Sequence, residues 1–232
     1  MTTTAMEKRP RFEVTGEIAQ AVTLRLARDE RVWACRGAIV SLGDGVRWHL
    51  EIPGGAGAAV GRVLAGEGLS LTRIHAEREG AEVVLAAGTP GKITAWSLEE
   101  QGPVVCTRGS FLAALGEVSI VPTVTRRAGA ALFGGAGFFL QRLSGKGTVF
   151  IHGAGDFVRH VLAEGESIQV STGNLAAFAQ SVDYDIVGVQ GCRNIVFGGE
   201  GLFMARLKGP GPVLTQTLKR SLPSRSRSSS SS

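Results

Sequence analysis

Four histidines, His49, His75, His152 and His160, are the residues best suited to chemistry in this sequence, since neutral imidazole is the commonest metal ligand. A catalytic zinc or iron site wants two ligands a residue or a few apart plus a third. Only His152 and His160 lie close together, with Asp156 the one acid between them. Such spacing fits histidines carried on strands better than a metal centre. Cys35, Cys106 and Cys192 are odd in number and widely spaced, with no CxxC pair, which reads as reduced, partly buried thiols. No GxSxG elbow occurs, and no cysteine has a histidine beside it in sequence, although such partners need only meet in space. Glu99-Glu100 and Asp183-x-Asp185 resemble solvated strand ends more than a shared acid and base. The runs Gly134-Gly-Ala-Gly137 and Gly198-Gly-Glu-Gly201 suggest a phosphate loop, but the residues after them, Phe-Phe-Leu and Leu-Phe-Met, read as strand and not as a helix N-terminus. Gly145-Lys-Gly147 has no Walker frame either.

The most specific polar feature is an arginine that occurs three times in one setting. Arg73, Arg142 and Arg206 each lie five residues after the last glycine of a short motif: Ala65-Gly-Glu-Gly68, Gly134-Gly-Ala-Gly137 and Gly198-Gly-Glu-Gly201. An active site needs different residues in different roles, whereas a repeated unit repeats the same fastening. The expectation is a guanidinium bonded to turn carbonyls or to Glu67 and Glu200, with a ring of arginines binding an anion as the alternative.

The elements that position these residues carry a repeat of their own. Leu26-x-x-x-Glu30-x-Val32 leads to Gly37, Leu98-x-x-x-Gly102-x-Val104 to Gly109, and Leu162-x-x-x-Glu166-x-Ile168 to Gly173. The three align without a gap, with Ile39, Phe111 and Leu175 two residues beyond the glycines. The two motifs interleave in strict order, so the sequence predicts three β lobes, over about residues 12–75, 76–143 and 144–218, around an approximate threefold axis. Period-two alternation, as in Gly147-Thr-Val-Phe-Ile-His152, is strand patterning. Ser110–Leu115 and Asn174–Ala179 are the stretches that could close into a turn of helix.

Composition narrows the function classes. Hydrophobic residues make up 44% and charged residues 19%, a globular balance, and 33 glycines imply many tight turns. The net charge of +5 sits at the two ends: +4 in residues 219–232 and +2 in residues 1–11, which leaves the body at −1. A near-neutral body steers no polyanion, which argues against a nucleic-acid partner. Residues 1–11 read as a flexible start and the Ser/Arg-rich residues 219–232 as a disordered tail that buries nothing. The start MTTTAMEKRPRFEV has no apolar signal region, and no stretch is long and apolar enough for a membrane span, so the expected location is the cytoplasm.

Several of these segments also carry a family pattern. It comprises Phe12-x-Val-x-Gly16, Gly165-Glu-x-Ile-x-Val170-x-x-Gly-Asn-Leu-Ala-Ala-Phe178, Ser181-Val-x-Tyr184, Gly198-Gly-Glu-Gly-Leu-Phe203 and Lys208-Gly-Pro-Gly-Pro-Val213-Leu-x-Gln-Thr217. Together they resemble the altered-inheritance-of-mitochondria protein twenty-four family, of the tryptophan RNA-binding attenuator-like superfamily, over residues 12 to about 218. The resemblance implies repeated lobes of β-sandwich, double-stranded β-helix-like fold and implies no enzyme. The first third departs from the pattern, with Arg28-Asp-Glu30 in place of a Pro-Gly-Glu turn and no methionine at Gly37-Ala38.

The resulting expectation is an all-β, non-catalytic, cytoplasmic assembly, scaffold or binding protein. It has no cofactor and no metal site, and a protein or small ligand as its partner, with self-association into a homo-oligomer allowed. Arg73, Arg142 and Arg206 are its anion-site candidates. An attenuator-like nucleic-acid-binding regulator and a cupin-like metalloenzyme stand as alternatives.

Overall fold

The computed structural model describes residues 10–53, 71–107, 109–125, 138–188 and 203–220. Alternation in the sequence becomes alternation in burial. In the strand Ala21–Leu26, Val22, Leu24 and Leu26 point inward at 0–1% exposure while Thr23 and Arg25 face out. The chain is predominantly β, with several antiparallel sheets.

The strands run in three successive stretches. After β1 (Phe12–Thr15) come β2 (Ala21–Leu26), β3 (Arg31–Ala34), β4 (Ile39–Leu42), β5 (Val46–Glu51), β6 (Leu71–Ala76) and β7 (Ala81–Ala86). The middle stretch holds β8 (Gly91–Ser97), the helix α1 (Leu98–Gln101), β9 (Val104–Thr107) and two long strands, β10 (Phe111–Thr125) and β11 (Phe138–Ala154). The last holds β12 (Phe157–Leu162), β13 (Ser167–Ser171), β14 (Leu175–Ala179), β15 (Asp183–Gly188), β16 (Phe203–Lys208) and β17 (Gly211–Gln216).

Within the first stretch β7 pairs with β2 and β4, and β6 with β3 and β5. Within the last, β17 pairs with β12 and β14, and β16 with β13 and β15. In the middle, β11 pairs with β8, β9 and β10. Two further pairings join the stretches. Val32, Trp33 and Ala34 of β3 face Leu115, Ala114 and Ala113 of β10, and Val104, Val105 and Cys106 of β9 face Ala179, Phe178 and Ala177 of β14. The result is a ten-stranded sheet, a four-stranded sheet in the order β1-β2-β7-β4 and a three-stranded sheet in the order β13-β16-β15. The approximate threefold axis expected from the sequence would add a third such joint, between β13 and β4. These strands are instead edges of two different sheets.

Burial of both faces explains the misread helical turns. Phe111, Leu112, Ala113, Ala114 and Leu115 are all buried in β10, and Leu175–Ala179 is buried throughout as β14, so neither stretch alternates and period alone cannot separate strand from helix. The α-helix among the described residues, α1, starts where the Ser97 hydroxyl accepts the Glu100 N–H at 3.3 Å and stops at Gly102, φ 75°. Two cores result. One gathers Val22, Leu24, Ile74, Val83 and Leu85 with Leu112, Leu115 and Phe150, and the other gathers Trp96, Val104, Leu143, Ile151, Phe178 and Leu207. Phe12 meets Phe150 edge-on at 5.0 Å, which seats β1 and its sheet on β11.

The motif glycines are not fully equivalent. Gly37 (φ 80°) and Gly109 (φ 81°) make left-handed turns, whereas Gly173 lies in the 3-10 turn Thr172–Asn174 without a positive φ. Its carbonyl accepts both the Arg220 N–H at 3.0 Å and Gln216 Nε2 at 2.9 Å, and Asn174 Nδ2 donates to the Gln216 carbonyl at 2.8 Å. These contacts with Gln216 and Arg220 fix the third turn in its own shape.

Candidate functional site

The three arginines occupy one register position on three strands. Arg73 of β6 faces Trp33 and His49, Arg142 of β11 faces Val105 and Val121, and Arg206 of β16 faces Gln169 and Asp185. Their surroundings nevertheless differ. Arg206 belongs to the separate three-stranded sheet, and Arg142 and Arg206 are exposed. Arg73 is half-buried, with its guanidinium carbon 4.2 Å from the Trp33 ring centre and its Nε 4.0 Å from Glu51. Desolvation lowers its pKa, Glu51 opposes that shift, and Arg31 adds to it. The partner of Arg73 is thus a ring and a carboxylate on neighbouring strands, not a turn carbonyl; Glu67 and Glu200 lie outside the described residues.

This asymmetry has a measurable consequence. Arg73→Ala is expected to cost about 1–2 kcal/mol through the lost ring contact, and Arg142→Ala and Arg206→Ala under about 0.5 kcal/mol each. Equal losses in thermal melts of the three variants would show that Trp33 is not what distinguishes Arg73.

The histidines do not converge. His49 is exposed beside Glu51 at 3.2 Å, His75 lies 3.5 Å from Asp29, and His160 meets the Thr215 hydroxyl at 3.3 Å. Among the described residues no group of three or more His, Cys, Asp or Glu is placed to hold a metal. The glycine runs at 134–137 and 198–201, and Cys192, lie outside the described residues. Cys106 is fully buried, and burial pushes its thiol up to about 12.

His152 is different, because the fold brings it to Cys35 and Arg220. The three line a cleft of about 230 Å³ between the ends of β3, β7 and β11 and the Gly37 and Gly109 turns. His152, 1% exposed, receives Arg220 Nη2 on Nδ1 at 2.8 Å, which leaves Nε2 to carry the proton, and its ring hydrogen-bonds the Thr89 backbone. Burial, and secondarily the Arg220 charge, lowers its pKa to about 4 against the opposing effect of Thr89. The imidazole is therefore neutral near pH 7.

Arg220 holds the cleft shut at one end. Its Nη2 also donates to the His152 carbonyl at 2.8 Å, its Nη1 to the Gly109 carbonyl and its Nε to Gln216 Oε1 at 3.0 Å, while its backbone N–H donates to Gly173. Gln216 Oε1 in turn accepts the Ala154 N–H at 3.0 Å. Arg220 thus ties the turn before β10 to β11 and the last strand through its guanidinium, and the turn before β14 through its backbone N–H. Its acceptors are neutral dipoles. Burial lowers its pKa, and Cys35 is the neighbour that opposes this.

The sequence reading places Arg220 in a tail that buries nothing, and the structure corrects that. Composition describes the serines that follow but not the amide and carbonyls already aimed at one side chain. The Gln216-x-x-x-Arg220 spacing after the last strand is the only local signal, and it is weak.

The fold and the cleft define a multi-sheet antiparallel β protein in which Arg220, just after the last strand, locks successive strand units together. A family model described as mitochondrial biogenesis AIM24 matches residues 12–218. The chain belongs to that family. It is 27% identical over 239 residues to the uncharacterised protein M6_Spy0233 of Streptococcus pyogenes serotype M6, covering 95% of this chain and 94% of that protein. Its fold is similar to the crystal structure of protein SPYM3_0169 from Streptococcus pyogenes, with a TM-score of 0.74 and 24% identity over 90% of this chain and 94% of that one.

Proposed function

We propose that this chain is a non-catalytic cytoplasmic scaffold built from three successive β lobes, acting through its sheet surfaces on a protein or small-ligand partner. The recurrence of one pairing plan carries the reading. β2, β8 and β12 each open a unit by pairing with the strand that closes it, β7, β11 or β17, and the same closing strand also pairs with β4, β10 or β14. On this plan the lobes run to about residues 86, 154 and 216, some ten residues beyond the first two boundaries suggested by sequence motifs. Strands β10 and β11 of the middle lobe each fuse two of the strands that are separate elsewhere.

Chemistry in the cleft supports a structural role. His152 has both ring nitrogens engaged and a pKa far below neutral, which suits a hydrogen-bonded fastener more than a general base working near pH 7. The fully buried thiol of Cys106 suits a reducing compartment such as the cytoplasm. No helix among the described residues is long and apolar enough to cross a membrane.

Native-size fractionation of fresh host extract tests the reading. The tagged chain is expected in a complex well above its own 24.2 kDa, and Cys35→Ser, which removes the thiol that lines the cleft, is expected to leave that complex unchanged. Migration of the parent wholly as a monomer would overturn the scaffold role.

A further inference from the structure

The two joints between lobes are the same joint in the same register. In the first, the residues three, four and five before Gly37, which are Ala34, Trp33 and Val32, face those four, five and six after Gly109, which are Ala113, Ala114 and Leu115. In the second, Cys106, Val105 and Val104 stand three, four and five before Gly109 and face Ala177, Phe178 and Ala179, four, five and six after Gly173. Each lobe therefore owns one half of a joint on each side. A linear series of three lobes uses two joints and leaves two halves over. These are β13 in the last lobe and β4 in the first, and each is the edge of its own sheet among the described residues.

The composition of the sheet edges separates these two from the rest. An exposed strand edge offers unpaired N–H and C=O groups to any passing strand, and proteins protect such edges with charge or proline. The other outer strands follow that rule: β1 carries Glu13, β5 carries Arg47 and Glu51, β12 carries Arg159, and β15 carries Asp183 and Asp185. β4 reads Ile39-Val-Ser-Leu42 and β13 reads Ser167-Ile-Gln-Val-Ser171, with no charge and no proline in either. Val40 of β4 is 61% exposed. Among the described residues these two edges are unprotected, and they are complementary halves of a joint the chain already makes twice.

We propose that β13 of one copy pairs antiparallel with β4 of the next, so that the chain assembles head to tail with itself through a third instance of its internal joint. This rests on the reading of the chain as successive lobes. The register follows from the internal joints: Val170 faces Ser41, Gln169 faces Leu42 and Ile168 faces Gly43. Pairing joins the three-stranded sheet of one copy to the four-stranded sheet of the next. Because the two surfaces differ, the contact is heterologous, and it closes into a ring or propagates as a filament according to the turn per copy. Two copies joined through one like surface each are not an expected product.

Cysteine pairing reads the register directly. The full chain with Ser41→Cys and Val170→Cys together, oxidised at micromolar concentration, is expected to give a ladder of disulfide-linked oligomers that closes or continues. Each single variant is expected to give no ladder above the background of the three native cysteines. Ser41→Cys with Gln169→Cys is expected to give far less product, because Gln169 projects from the opposite face of the sheet. In a second measurement, sedimentation of the otherwise native chain is expected to show a concentration-dependent oligomer. Ser41→Lys, a charge on an exposed position of the edge, is expected to convert that oligomer to a folded monomer with an unchanged circular dichroism spectrum. A native chain that stays monomeric while the in-register pair fails to couple would overturn the joint, as would coupling dominated by Ser41→Cys alone. Either result leaves the host-extract complex free to persist with other proteins, so failure of the joint is distinguishable from failure of the scaffold reading.

Discussion

Arg220→Ala is expected to lower stability by about 3 kcal/mol, seen as a fall in melting temperature of about 6–12 °C for a chain of this size. The guanidinium makes four side-chain hydrogen bonds, to the carbonyls of Gly109 and His152, to His152 Nδ1 and to Gln216 Oε1. Alanine leaves the Gly109 carbonyl and the His152 ring nitrogen without their donor. His152 is buried, so water replaces that donor poorly. Relief of the guanidinium's own desolvation offsets part of the loss, which is why four bonds are not worth their full sum. Arg220→Lys is expected to recover less than half of the stability, since one ammonium cannot reach acceptors on three segments as a planar fork does. Melts within about 2 °C of the parent for Arg220→Ala would show that Arg220 is a bystander.

Mild acid is the second large perturbation. His152 has its pKa lowered in the folded chain to about 4 from 6.5, so between those values the unfolded chain binds the extra proton and the folded chain does not. Stability from this group is therefore fully present above about pH 6.5. It is lost progressively as the pH falls toward 4, by up to about 3 kcal/mol. Burial of the ring is the first cause and Arg220 the second: a proton on Nδ1 would meet Arg220 Nη2 at 2.8 Å and turn an acceptor into a second positive charge. His152→Asn keeps an acceptor but cannot titrate. Denaturant midpoints measured from pH 7.5 to pH 4 are expected to fall more steeply for the parent than for this variant. Parallel curves would show that His152 takes its proton in the folded state as readily as in the unfolded one.

The legible parts of this molecule were those set by local chain geometry. Strands announced themselves where one face is wet, as in β2 and β6, and the glycine at 37 or 109 marked a turn because only a left-handed residue fits there. The Leu-to-Gly spacing held because it measures one strand and one turn. Structure departed from expectation wherever partners distant in sequence decided the outcome. β10 has apolar residues on both faces because it lies between two cores, and Ser110–Leu115 consequently read as a stretch that could close into a turn of helix. The family of the chain was legible in the motifs of its last third. The cleft was not, because Cys35, His152 and Arg220 come from three separate parts of the sequence and none has a neighbour that signals it. The equivalence of Arg73, Arg142 and Arg206 was legible as register but not as environment, since Trp33 stands opposite only the first.

The continuity of β10 and β11 gives the molecule its mechanical character. Leu112, Leu115 and Phe150 belong to one core, while Phe111, Val149 and Ile151, interleaved with them on the same two strands, belong to the other. Gly116 and Gly147 face each other midway along this pair, where a Cβ on Gly147 would overlap the Leu115 carbonyl oxygen, so the ribbon turns there without being cut. Neither core can open while this ribbon stays in place, and the ribbon cannot leave without opening both. The cores therefore unfold as one cooperative unit, and the slowest-exchanging amides belong to the middle of the chain.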